Sequence, residues 1–96
     1  MANPVTIGVE WSNHALIRWA ERFPELDREE VFGLSVAAPK KIRAQIGRQC
    51  NRHRSSLAVW FLNKRGALYN REHKIAFIMG FMGKRRTVVT VFPLTR

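Results

Sequence analysis

A single cysteine, Cys50, excludes an internal disulfide, so this chain must rely on packing rather than crosslinks, as suits a reducing cytosol. Apolar runs such as Phe32 to Pro39 and Ser55 to Leu62 fall far short of the roughly 20 residues a membrane helix needs, so neither a transmembrane segment nor a membrane partner is expected. Met1 to Gly8 has no basic flank and no long apolar core, which argues against a secretory signal and for a cytoplasmic location. Glycine-rich phosphate loops and nucleotide fingerprints are absent, so any handling of phosphate falls to side chains. Cys50-x-x-His53 is half of a zinc pattern with no second pair at ligand spacing, and His14 and His73 stand alone, so neither a metal nor another cofactor is expected. No serine or cysteine is paired with an evident base and orienting acid. Repeats, low-complexity tracts and internal boundaries are also missing, and 96 residues read as one domain, 1–96.

Acidic residues are scarce, seven against 17 Lys and Arg, for a net charge of +10. The scarcity is uneven. Residues 1–30 carry six acids and three bases, a net −3, whereas residues 31–96 carry fourteen bases and the single acid Glu72, a net +13. A basic body of that density points to a polyanion, most simply nucleic acid, because neutralised phosphates release counterions and drive binding. An acidic protein partner or inhibitor is the competing explanation, since net charge speaks of partners and not of fold.

Val5, Ile7, Val9 and Trp11 alternate with polar or small residues, as in a short strand with one apolar face. Ser12 or Asn13 then suits a helix start, and the pattern predicts a helix over about Asn13 to Phe23, with Leu16, Trp19, Ala20 and Phe23 on one side and Pro24 ending it. Asp27-Arg28-Glu29-Glu30 resembles a capping box before a second short helix that fades by Pro39. Between Pro39 and Arg54 the periodicity suits both strand and helix; Gly47 weakens a helix and Pro39 favours its first turn, so the balance tips to helix. Leu57 to Leu62 reads as a buried strand, Ala67 to Asn70 as a short one, and Lys74 to Phe81 with Arg86 to Leu94 as a hairpin. The expected architecture is α+β, with N-terminal helices packed on a C-terminal antiparallel meander.

His14, Arg18 and Arg22 recur at four-residue spacing, so on a helix they form one stripe able to face phosphate oxygens. The other basic groups are Lys40, Lys41, Arg43, Arg48, Arg52 and Arg54 in the middle of the chain and Lys84, Arg85 and Arg86 at the last hairpin, all candidates for nucleic-acid contact. Trp11, Trp19, Trp60, Tyr69 and Phe81 are available to stack on unpaired bases, although burial is the commoner fate of such rings and Tyr69 is the least settled of them.

The start Ser12-x-His14-Ala15-x-x-Arg18-x-x-x-Arg22, the acidic capped helix and the ending Arg86-Thr87-Val88-Val89-Thr90-Val91-Phe92 together resemble the small domains related to RelE and the colicin nuclease toxins, a superfamily grouped with barnase and EndoU that includes many phage and mobile-element proteins. The likeness follows the order of elements along nearly the whole chain, whereas residues 39–66 match no motif. It implies a RelE-like α+β fold and a toxin-like, metal-independent endoribonuclease in which a ribose 2′-OH attacks the adjacent phosphate. On that resemblance His14 would be the general acid or base, Arg18 and Arg22 would stabilise charge on the phosphate, and Thr90 would hydrogen-bond a phosphate oxygen. The alternative is a non-catalytic phage or mobile-element effector of the same fold that binds nucleic acid or inhibits a host protein. A subunit that docks on an acidic protein ranks third.

Overall fold

Two short polar side chains set the N-terminal helices. Ser12 Oγ accepts the Ala15 amide at 3.0 Å and starts α1, Asn13–Arg22. Asp27 accepts the amides of Glu29 and Glu30 at 3.0 and 3.2 Å and starts α2, Arg28–Gly33. Each cap satisfies backbone donors that the first helical turn leaves without partners. In this computed structural model residues 8–52 and 66–94 are described.

A third helix, α3, runs over Lys40–Arg52, and the Pro39 carbonyl accepts its first bond, from the Arg43 amide, at 2.8 Å. The helical reading of this stretch therefore holds. The strands are β1 Glu10–Trp11, β2 Val36–Ala37, β3 Ala67–Asn70, β4 Ile75–Met82 and β5 Arg85–Pro93. They form one sheet in the order β1-β5-β4-β3-β2. The architecture is α+β, and the sheet is mixed: β2, β3, β4 and β5 pair antiparallel, whereas β1 runs parallel to β5 with Glu10 opposite Thr87 and Trp11 opposite Val88. The antiparallel meander expected for the C-terminal half holds for β3–β5. Two features depart from expectation. The second helix ends at Gly33 rather than fading towards Pro39, and Val36–Ala37 instead extends the sheet beside β3. The strand expected over Leu57 to Leu62 lies outside the described residues, as does all but the end of the one expected from Val5.

Both faces of the sheet are covered. On one, Ala15 and Trp19 of α1 and Val31 and Phe32 of α2 pack on Leu68, Ile75, Phe77, Met79, Val88 and Val91. Rings dominate this core: Phe77, fully buried, has Trp11, Trp19 and Phe32 around it at centroid distances of 5.9, 6.2 and 5.0 Å. On the other face, Ile46 of α3 packs with Ala38, Ala67, Ala76 and Ile78, and Ile42 and Tyr69 border this second core. Ile42, Ile46 and Gln49 lie at i, i+4 and i+7, the stripe by which α3 meets the sheet. Gln49 anchors its far end by donating to the Pro93 carbonyl.

A bulge breaks the pairing of β4 and β5. Ile78 is opposite Thr90 but Met79 is opposite Val88, leaving Val89 as the extra residue. The irregularity reverses the inward and outward alternation along β5, so Val88 and Val91 both join the α1/α2 core while Phe92 joins the α3 core.

Candidate nucleic-acid interface

The stripe on α1 is divided by its surroundings. Ala15 and Trp19 are buried and Arg22, at i+7 from Ala15, reaches the sheet by a hydrogen bond; Leu16 and Ala20, which the pattern puts on one side with Trp19 and Phe23, are exposed. Arg22 Nη1 donates to the Val91 carbonyl at 2.7 Å, and Ser12 Oγ donates to the Val89 carbonyl at 3.0 Å. Strand β1 has only two residues, so beyond it the outer edge of β5 has no strand neighbour among the described residues. Ser12 and Arg22, from the two ends of α1, supply donors there. Arg18 Nη1 lies 3.0 Å from Glu21 Oε2 along the same helix. His14 stands exposed in the first turn.

Thr90 is not gathered with them. It pairs with Ile78, whose side chain lies in the core beneath α3, and partners opposite each other across a ladder share a face of the sheet. His14 and Arg18 belong to a helix packed on the opposite face.

Of the remaining sequence candidates, Arg85 is ion-paired with Glu10, tying the start of β5 to β1. Lys84 is exposed in the hairpin turn, and Arg86 is half-buried and engaged with the protein itself. Lys40, Lys41, Arg43 and Arg48 are exposed on α3, and Arg52 is its last residue. Arg54 lies outside the described residues. Lys40 and Lys41 occupy the first helical turn, where no acid is present and where the helix macrodipole favours an anion.

A hollow of about 400 Å³ lies where α3 meets the β3–β4 turn. Its cations come from separate elements, Arg48 from α3 and Arg71 and Lys74 from the turn. Ile42, Leu94 and the half-buried Tyr69 form its apolar part, and Gln45 completes it. Among the described residues no acidic side chain lines it; Glu72, in the same turn, is exposed outside it. Lys41 lies seven residues before Arg48, two helical turns away on the same flank, and so extends the basic strip beyond the hollow.

Asn70 holds the turn that carries Arg71 and Lys74. Its side chain is 2% exposed; Nδ2 donates to the Val31 carbonyl at 2.8 Å and Oδ1 accepts the His73 amide at 2.8 Å. Lys74 adopts a left-handed backbone (φ 55°), and its carbonyl accepts the Leu94 amide at 2.7 Å, fixing the turn to the end of β5. Reading the sequence for site residues passes over Arg71 and Lys74 because they sit singly in a short turn. The available signal was Asn70, a polar residue closing a strand just before two cations.

Among the described residues no group of three or more His, Cys, Asp or Glu side chains is placed to hold a metal ion. No helix among them is long and apolar enough to cross a membrane. Comparison of the chain with protein-family models, with curated proteins and with solved structures returns no match.

Proposed function

We propose that this protein is a nucleic-acid-binding domain that holds the phosphate backbone on the basic surface formed by α3 and the β3–β4 turn. The observation that carries the reading is the convergence of Arg48, Arg71 and Lys74, from elements far apart in sequence, on one hollow that no acidic side chain lines among the described residues. Like charges brought together by folding repel one another, and an anion shared among them relieves that repulsion. Backbone contacts of this kind position a nucleic acid without reading its sequence. The net charge of +13 over residues 31–96 would steer a polyanion towards this half of the molecule.

Cleavage of RNA by a RelE-like mechanism is the second reading, and the exposure of His14 favours it, since a general acid or base must reach its substrate. The supporting groups are less well disposed: Arg22 donates to the Val91 carbonyl, Arg18 pairs with Glu21, and Thr90 belongs to the other face of the sheet. Binding without turnover is therefore the better-supported function. The deciding experiment incubates the protein with labelled RNA in EDTA, following both complex formation and chain integrity. Salt-sensitive binding with intact RNA is expected. Cleavage that disappears in His14→Ala would establish the catalytic reading instead.

A further inference from the structure

The phosphate-binding reading leaves the apolar part of the hollow without a role. We propose that the hollow takes one unpaired nucleotide, its base laid against the ring of Tyr69 and its phosphate held by Arg71, Lys74 and Arg48, so that the domain prefers single-stranded nucleic acid. This rests on the proposed phosphate-binding function and adds the class of strand that is bound.

Three observations carry it. First, the rings of Trp11, Trp19, Phe23, Phe32 and Phe77 pack on one another on the α1/α2 face, at centroid separations of 5.0 to 6.2 Å, and the half-buried Trp11 is further covered by the Arg28 guanidinium 5.0 Å from its ring centre. Tyr69 lies on the other face, is half-buried, and stacks on no other ring among the described residues. Second, Tyr69 lines the same hollow as the three cations, which sets a flat apolar surface beside positive charge, the combination that recognises an unstacked base and its adjoining phosphate. Third, the volume of about 400 Å³ falls within the roughly 300–1,000 Å³ of small-molecule sites and suits a nucleotide rather than a duplex. In a duplex the base faces are covered by their neighbours, and only the phosphates remain for the cations.

The test measures the affinity of the full chain for a fluorescent oligouridylate and for a duplex of equal length at one salt concentration, with Tyr69→Leu and Tyr69→Phe beside the wild type. Leucine keeps apolar bulk next to Ile42 but removes the ring face. The preference for single strand over duplex is expected to fall roughly 5- to 100-fold in Tyr69→Leu and to be kept in Tyr69→Phe. In parallel, a 4-thiouridine oligonucleotide is photo-crosslinked to the wild type and the adduct mapped; it is expected on the peptide containing Tyr69, and this arm needs no substitution to fold. An unchanged preference in a folded Tyr69→Leu, or an adduct confined to other segments, overturns the nucleotide site while leaving phosphate binding standing. A wild type that binds neither oligonucleotide overturns both.

Discussion

Arg22, near the end of α1, donates its Nη1 proton to the carbonyl of Val91 at 2.7 Å, closing part of a sheet edge that the two-residue β1 cannot reach. The bond makes Arg22 a structural residue. Arg22→Met keeps most of the aliphatic stem and removes the donor, and a charged hydrogen bond in a partly exposed setting contributes about 1 kcal/mol. Urea denaturation should show a loss of that size, with RNA affinity within about twofold of wild type, no more than the removal of one rim charge produces. A large loss of affinity with unchanged stability would return Arg22 to the binding surface.

Asn70→Ala should be among the more damaging polar substitutions. It deletes two hydrogen bonds at a site 2% exposed: the His73 amide loses its acceptor, whereas the Val31 carbonyl keeps the Ser35 hydroxyl, which donates to it at 3.1 Å. A loss of about 1–3 kcal/mol is expected in chemical denaturation, since each of the two hydrogen bonds contributes about 0.5–1.5 kcal/mol. Hydrogen exchange at the His73 amide should accelerate well beyond the global effect, because the turn carrying Arg71 and Lys74 loses its local anchor.

Ser12→Ala removes both the cap of α1 and the bond to the Val89 carbonyl, whereas Asp27→Ala removes a cap alone. With caps contributing about 0.5–2 kcal/mol, Ser12→Ala should destabilise more than Asp27→Ala in thermal or urea unfolding. Equal effects would mean that the bond across to β5 contributes nothing.

Ile46 is fully buried beneath α3. Truncation to alanine should cost about 2–5 kcal/mol, and the loss should weaken RNA binding as well, because α3 carries Arg48 on its flank. Denaturation and binding titrations on the same sample check both halves.

What could be read from the sequence was what is local. The caps Ser12 and Asp27 and the β4–β5 hairpin depend on residues within a few positions of one another, and each forms where the pattern places it. Residues 39–54 were ambiguous because Ile42, Ala44 and Ile46 satisfy both periods; it is the second core, with Ile46 packed on Ala67, Ala76 and Ile78, that favours the helix. Strand β2 escaped notice because two residues carry no periodicity and its pairing with Leu68 and Tyr69 is set by residues far along the chain. The placement of Thr90 was hidden for another reason. Strict alternation puts it on the same face as Val88, and the extra residue Val89, which no pattern in β5 announces, sends it to the other. The same limit applied to the hollow: Arg48 was a candidate, but its meeting with Arg71 and Lys74 is a product of topology.

The central claim is that Arg71 and Lys74 contact phosphate, and its most direct measure is the salt dependence of RNA binding. Arg71→Gln combined with Lys74→Asn removes both charges, and asparagine tolerates the left-handed backbone at position 74. Each phosphate contact contributes about 0.7–0.9 to the slope of log K against log salt, so the slope of the double variant should be shallower by about 1.5, with affinity reduced at low salt and thermal stability close to wild type. A slope and affinity equal to those of the wild type would contradict the account.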